Sequence, residues 1–203
     1  MVNKYRFEVN VFHTVLNNAI VRRPTTFNGQ DSIIFNGVNS RVEALQNVAK
    51  ATVNGVQVSA EYYFTKALSI QTHANWVGGK ETDDAKNEQV PLRHAPPFYG
   101  NTLLRYRLNK FFVEASAQYN SKIANADLAP SEQAKTDIYA KDANGNPYSP
   151  GWYTLNLKAS YQINKNVQVI TGWENITNQR YRPYSSGIVA GGSNLILSVR
   201  VSL

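Results

Sequence analysis

The chain has 203 residues, 21 Lys and Arg against 14 Asp and Glu, a formal charge of +7, and no Cys. That is the length of one domain, and it excludes a disulfide framework, a Cys-ligated metal site and thiol chemistry. The basic residues are scattered, so the clustered stripe of a nucleic-acid binder is missing, and no run approaches the ~20 apolar residues of a transmembrane helix.

The opening Met1-Val2-Asn3-Lys4-Tyr5-Arg6 has neither the apolar core nor the cleavage site of a signal peptide. The expectation is therefore either a protein that stays inside the cell or a piece of a longer chain. The strand pattern decides between them. From the start, the period along the chain is two, the period of a strand with one apolar and one polar face. Tyr5, Phe7, Val9, Val11 and Val15 share a face with His13, against Arg6, Glu8, Asn10 and Thr14. A weaker segment runs from Asn18 to Phe27. Val56, Val58, Ala60, Tyr62 and Phe64 oppose Gln57, Ser59 and Glu61; Leu68, Ile70, Thr72, Ala74 and Trp76 oppose Ser69, Gln71, His73 and Asn75. Pro97 to Leu108 is the second weak segment, with Leu104, Tyr106 and Leu108 opposing Arg105 and Arg107. Phe111, Val113, Ala115, Ala117 and Tyr119 oppose Glu114, Ser116, Gln118 and Asn120. Tyr153 to Ile163 alternates without a break, Val167 to Glu174 breaks only at Ile170, and Leu195 to Leu203 breaks only at Ile196.

This predicts an all-β chain of about nine long strands. Several reach the ~9–11 residues of a tilted membrane strand, against the ~5–6 usual in soluble sheets. Short links (Asn17-Asn18, Thr65-Lys66-Ala67, Asn109-Lys110, Asn164-Lys165-Asn166) alternate with long polar ones, roughly 28 to 46, 78 to 96, 123 to 150 and 178 to 193. An antiparallel up-and-down transmembrane barrel has this form, with short periplasmic turns and long extracellular loops. Aromatics stand towards the ends of the apolar faces (Tyr62, Phe64, Trp76, Tyr106, Tyr119, Tyr153, Tyr161 and Trp173), where membrane interfaces would lie. The competing architecture is a soluble antiparallel sandwich, whose apolar faces would meet in a core. If short turns are periplasmic, the last strand runs inward and Leu203 ends at the periplasmic rim.

The C-terminal stretch Gly172-Trp173-Glu174-Asn175-Ile176-Thr177-Asn178-Gln179-Arg180-Tyr181 is followed by a loop with Gly187, Gly191 and Gly192 and by the alternating strand to Leu203. It resembles the end of TonB-dependent outer-membrane receptors, in which an Asn-apolar-x-(Asn or Asp)-x-x-Tyr pattern closes the second-last strand. Asn175, Ile176, Asn178 and Tyr181 occupy its positions. Upstream, Gly55-Val56-Gln57-Val58-Ser59-Ala60-Glu61 resembles the family's Gly-apolar-Glu-x-Glu strand opening with Gln57 in place of the first Glu, and Pro91 and Pro96-Pro97 fit prolines before a strand. Leu203 departs from the aromatic residue that usually ends such chains, which bears on assembly efficiency rather than on the family. The resemblance implies the C-terminal part of a barrel of twenty-two strands, with the plug domain and the earlier strands absent. It implies a bacterial outer-membrane active-transport receptor for a scarce nutrient complex (siderophore, haem, cobalamin or glycan). The implied partners are outer-membrane lipid, the remaining strands and plug, and the TonB complex acting through the missing N-terminal part. Outer loops around Asp31 to Ser40, Lys80 to Pro91, Asn125 to Tyr148 and Tyr181 to Gly192 would meet the ligand.

No catalytic constellation is assembled. His13, His73 and His94 lack the short spacing of metal ligands. Asp83-Asp84 reads as a solvated loop, Asp142-Ala143-Asn144-Gly145-Asn146 as a turn rather than a calcium loop, and Gly191-Gly192 as a flexible loop rather than a phosphate cradle. Arg6, Arg105, Arg107, Glu114, Lys158, Glu174 and Arg200 fall on the polar face, which would be the lumen. Tyr139, Tyr148, Trp152 and Tyr184 offer rings in the outer loops, but no residue is singled out as a ligand contact. The chain is therefore expected to have no enzymatic activity and no cofactor. The alternatives are a stand-alone porin or adhesin barrel, a barrel lipase or protease that would need a Ser/His or Asp/His pair, and a soluble β-protein.

Overall fold

The computed structural model describes residues 4–48, 50–83 and 88–202. In chain order the strands are β1 (Tyr5–Leu16), β2 (Ala19–Pro24), β3 (Ser32–Phe35), β4 (Val38–Arg41), β5 (Glu43–Val48), β6 (Ala51–Tyr63), β7 (Leu68–Asp83), β8 (Glu88–Pro91), β9 (Tyr99–Leu108) and β10 (Phe111–Asn120). A 3-10 turn (Asn125–Asp127) and one turn of helix, α1 (Pro130–Gln133), precede β11 (Ala140–Lys141), β12 (Pro147–Tyr148), β13 (Trp152–Gln162), β14 (Val167–Glu174) and β15 (Asn194–Val201). One antiparallel sheet dominates, in the order β1-β6-β7-β9-β10-β13-β14-β15, with β8 added on β7. β1 and β15 lie at its two edges and do not pair, so the barrel is not closed.

The sheet holds nine strands, as expected, but not the expected nine. Asn17-Asn18 is not a hairpin turn. The chain continues through it, because Leu16 pairs with Ala51 and Ala19 with Val48 in one unbroken register. Asn18 adopts a left-handed φ of 55° inside an extended strand rather than at a reversal. Asn tolerates that conformation in both settings, so its presence alone does not distinguish them. The stretch from Asn18 to Phe27 is instead the base of a long hairpin. That hairpin carries a tight turn at Asn28-Gly29 (φ 52° and 79°) and another at Asn36-Gly37 (φ 50° and 78°), the second joining β3 to β4. β1 therefore runs from the short-turn end to the long-loop end.

The other three short links are tight turns, and side chains hold two of them. Thr65 Oγ1 accepts the Ala67 and Leu68 amides at 3.1 and 3.0 Å, and Asn164 Oδ1 accepts those of Asn166 and Val167 at 2.9 and 3.0 Å. At the opposite end, β7 runs on to Asp83 against β6 and β8, well into the segment expected to be loop. Above a membrane neither face of a hairpin meets lipid, so the apolar alternation that betrays a strand fades there. Asp84, of the expected acidic pair, and Leu203 lie outside the described residues.

Register lines up one apolar face. A single row crosses all eight long strands: Tyr5, Tyr62, Ile70, Leu104, Ala115, Leu157, Trp173 and Leu195. It starts beside a short turn in β1 and ends beside the last long loop in β15. This is the stagger of strands tilted to a barrel axis. No second layer covers the row. Tyr5 is 73% exposed, Leu195 74% and Leu197 77%. The buried apolar cluster of the described residues, Ile123, Leu128 and Tyr139, lies in a loop instead. A sandwich would bury this face against another sheet, and among the described residues none does; the face is suited to an apolar solvent.

Aromatics mark both rims of the face. Phe111 and Tyr161 stand at the short-turn end and Tyr119 and Tyr153 at the other. Eight residues separate the two ends, about 26 Å along a strand. Trp76, Phe98 and Tyr119 stack with centroids 4.6 and 5.8 Å apart. Hydroxyls on the apolar face bond to one another: Thr72 and Thr102 at 2.9 Å, with the Tyr119 hydroxyl 3.5 and 3.4 Å from them. Unsatisfied in lipid, each would be costly. Gly100 lies under the Tyr119 ring, where a Cβ would come within 2.8 Å of it and 2.3 Å of the His73 carbonyl oxygen.

Candidate functional site

The long links gather at one end of the sheet. The segment between β10 and β13 folds on itself. Ile123 and Ser149 exchange backbone hydrogen bonds at 2.9 and 3.1 Å, the Asn125 side chain donates to the Pro147 carbonyl at 2.8 Å, and Gln133 Nε2 donates to the Asn125 carbonyl at 2.8 Å. This closes a small core of Ile123, Leu128 and Tyr139, against which Ile138 and Tyr184 pack.

Glu132, on α1, is fully buried beside that core. Its carboxylate accepts the Tyr184 hydroxyl and, at 2.7 Å, the Ser185 hydroxyl, both from the link between β14 and β15. His94 Nε2, from the link between β8 and β9, stands 3.6 Å away. That nitrogen also receives Arg93 Nε–H at 3.1 Å, so the ring attracts the carboxylate only when protonated. Tyr139 Oη is buried near the same carboxylate but makes no hydrogen bond of ordinary geometry. One carboxylate therefore joins its own link to side chains from two others.

The charge is consistent with that role. Burial pushes the Glu132 carboxyl up, but donation from Tyr184 and Ser185, with the Tyr139 hydroxyl and His94 close by, holds it below its ordinary value. Burial, then Glu132, pushes the Tyr139 phenol up to about 12 and the Tyr184 phenol higher still, so both stay protonated. A depressed carboxyl contributes stability above its unfolded value and loses it as pH falls through the folded one. We expect the protection of amides in the 121–151 link, taken relative to their intrinsic exchange rate at each pH, to be constant from neutral pH down to about 4.3, the unfolded Glu value, and to fall only below it.

The Asn-apolar-x-Asn-x-x-Tyr residues have a visible structural task. Asn175, almost fully buried and at φ 45°, donates through Nδ2 to the carbonyls of Gln179 (2.9 Å) and Gly191 (3.1 Å) and accepts the Gln179 amide at 2.9 Å. Its own amide donates to Asn156 Oδ1 of β13 at 2.8 Å. Asn178 Oδ1 accepts the Ser193 amide at 3.0 Å, and Tyr181 stacks on Trp152 with centroids 4.1 Å apart. The motif thus staples the last long link to β13. Asn175→Ala should destabilise that link by roughly 3 kcal/mol, from buried bonds and a left-handed φ that Ala resists. Asn175→Gly should cost less, since it relieves the φ. Hydrogen exchange over 176–192 measures both.

Of the expected outer loops, Asn125 to Tyr148 and Tyr181 to Gly192 come together; Asp31 to Ser40 forms the β3–β4 hairpin instead. A cavity of about 330 Å³ lies between the first two, lined by Tyr139, Trp152, Arg180, Tyr181 and Val189 among others. Tyr184 serves Glu132, and Tyr148 pairs with Ala140. Asp142 caps the turn between β11 and β12, its Oδ1 accepting the Asn144 and Asn146 amides at 2.9 and 2.8 Å, as expected of a turn. On the polar face, Arg105 pairs with Glu114 and donates to Gln71, both at 2.7 Å, and Glu114, Lys158 and Glu174 line a groove of about 840 Å³ that reaches up to Tyr181. His13 bonds Asn54 at 2.5 Å, and His73 pairs in register with Ser59. Glu132 was not visible in the sequence. It sits in a polar stretch without a pattern, and its hydroxyl partners are 52 and 53 residues away.

The chain matches the family described as TonB dependent receptor-like, beta-barrel, over residues 2–177. No curated protein matches it. Among solved structures it is similar to the copper transporter OprC (TM-score 0.73, 15% identity, 99% of this chain and 29% of that one). It is also similar to the FrpB iron transporter of Neisseria meningitidis (TM-score 0.69, 16% identity, 98% and 28%) and to the siderophore receptor PiuA of Acinetobacter baumannii (TM-score 0.63, 17% identity, 99% and 26%). The chain spans under a third of each of these proteins, and at such identities the likeness shows the fold.

Proposed function

The chain belongs to the TonB-dependent receptor-like β-barrel family, and on that premise we propose that it is the C-terminal arc of an outer-membrane receptor that takes up a scarce nutrient complex with TonB-supplied energy. The family match over most of the chain carries this reading. The uncovered apolar face fits outer-membrane lipid, and the two unpaired edges fit the strands that would complete the barrel. The polar face, with its Arg105–Glu114 pair, is suited to a hydrated lumen and a plug. The folded links at the other end form the extracellular capture surface. The copper and siderophore cargoes named for the similar structures support a metal complex as the nutrient.

The test is uptake of radioiron by cells that express the whole receptor in a strain lacking its own. Ferric citrate, ferric catecholates, ferric hydroxamates and haem are supplied singly. Saturable uptake of one of them that disappears on deletion of TonB is the expected result. Uptake unaffected by that deletion would instead indicate a passive porin.

A further inference from the structure

We propose that Glu132 is a positioning residue for ligand capture: its buried carboxylate holds the 92–98, 121–151 and 175–193 links in one arrangement. The inference rests on the reading of those links as a capture surface. Two observations carry it. The carboxylate is fully buried although its element is a single helical turn in a surface link, so its surroundings are built around it. Its hydrogen-bond donors, Tyr184 and Ser185, come from a different link, and His94 approaches from a third.

A carboxylate is suited to this task because it accepts up to about four hydrogen bonds. It can therefore gather donors from several segments that share no backbone ladder. Once buried, it makes separation of the segments cooperative, because any one of them that leaves exposes the charge to a poorer set of partners. The cavity lined by Tyr139, Trp152, Tyr181 and Arg182 lies between two of the links so held, so its shape depends on their staying together. Arg182 reinforces the same seam by donating to the carbonyls of Asp137 and Ile138 at 3.1 and 3.2 Å.

The experiment uses the whole receptor in outer-membrane vesicles, with trypsin as the probe. Arg93, Lys135 and Arg180 are cleavage sites in the three links, with Lys122 and Lys141 as further sites in the 121–151 link. Glu132→Ala and Glu132→Gln should speed cleavage in all three links together, by about tenfold or more, the ratio that loss of one charge-assisted hydrogen bond represents. Tyr184→Phe should do the same to a smaller extent, and its mildness guards against a variant that fails to fold. Tyr139→Phe should leave cleavage unchanged, because its hydroxyl makes no bond to lose.

Faster cleavage at Lys135 alone, or equal opening by Tyr139→Phe, would overturn the proposal, since either would mean local packing rather than a shared anchor. In cells, Glu132→Gln should raise the KM for uptake of the radioiron chelate and leave the maximal rate unchanged, as expected for disordered binding loops on an intact translocation path. A fall in maximal rate at unchanged KM would also overturn it. If the unaltered receptor takes up none of the chelates, the receptor reading fails for those cargoes, while the trypsin result still decides whether Glu132 anchors the links.

Discussion

Refolded by itself in detergent micelles, the 203-residue chain should migrate identically on gels whether boiled or not, and protease should digest it. A closed barrel resists both treatments. The reason lies in the edges. β1 is 12 residues long and β15 is 8, and among the described residues neither has a partner on its outer side. Alternate residues of an edge strand point their peptide groups outwards, which leaves roughly ten N–H and ten C=O groups unpaired. At several kcal/mol for each such group in hydrocarbon, the deficit is tens of kcal/mol. No adjustment of side chains offsets that; only more strands do. Co-expression with the preceding strands and plug should restore heat-modifiable migration. A compact, heat-modifiable species from the chain alone would show that β1 and β15 find each other, and the closing-arc reading would be wrong.

The second large effect separates the two faces of the sheet. Leu157→Arg, in the whole receptor, should lower the amount of folded barrel in the outer membrane severely, whereas Ser116→Arg should leave it near normal. Leu157 lies on the apolar row between Ala115 and Trp173. An arginine near the bilayer midplane costs about 2–4 kcal/mol in a barrel. Ser116 is on the adjacent strand but on the opposite face, between Leu103 and Asn156, where a charge can be hydrated. Equal tolerance of both arginines would mean that the apolar face does not meet lipid. The comparison is informative because the two positions have similar strand context and differ in little but direction.

The sequence by itself determined most of the barrel wall. Within the membrane-spanning stretch each strand has one face that must be apolar and one that need not be, so Tyr153 to Ile163 could be read residue by residue, and register then only confirmed which neighbours meet. The short turns at Thr65 and Asn164 were legible for a similar reason, since their signals are local side chain to backbone bonds, and Asn109 supplies a left-handed φ of 51° that Asn tolerates. Beyond the membrane the code weakens. Asn17-Asn18 has the composition of a turn, and only the pairings on either side of it, Leu16 with Ala51 and Ala19 with Val48, show that the strand continues. The extension of β7 to Asp83 was hidden because no lipid imposes alternation on it. The Asn175 motif was legible as a pattern, but its task as a staple between Asn156, Gln179 and Gly191 is set by the tertiary structure. Glu132 was decided by tertiary structure alone. A buried carboxylate is defined by the donors around it, and His94, Tyr184 and Ser185 are brought to it by the stacking of three links over adjoining strands, a long-range arrangement that leaves no period in the chain.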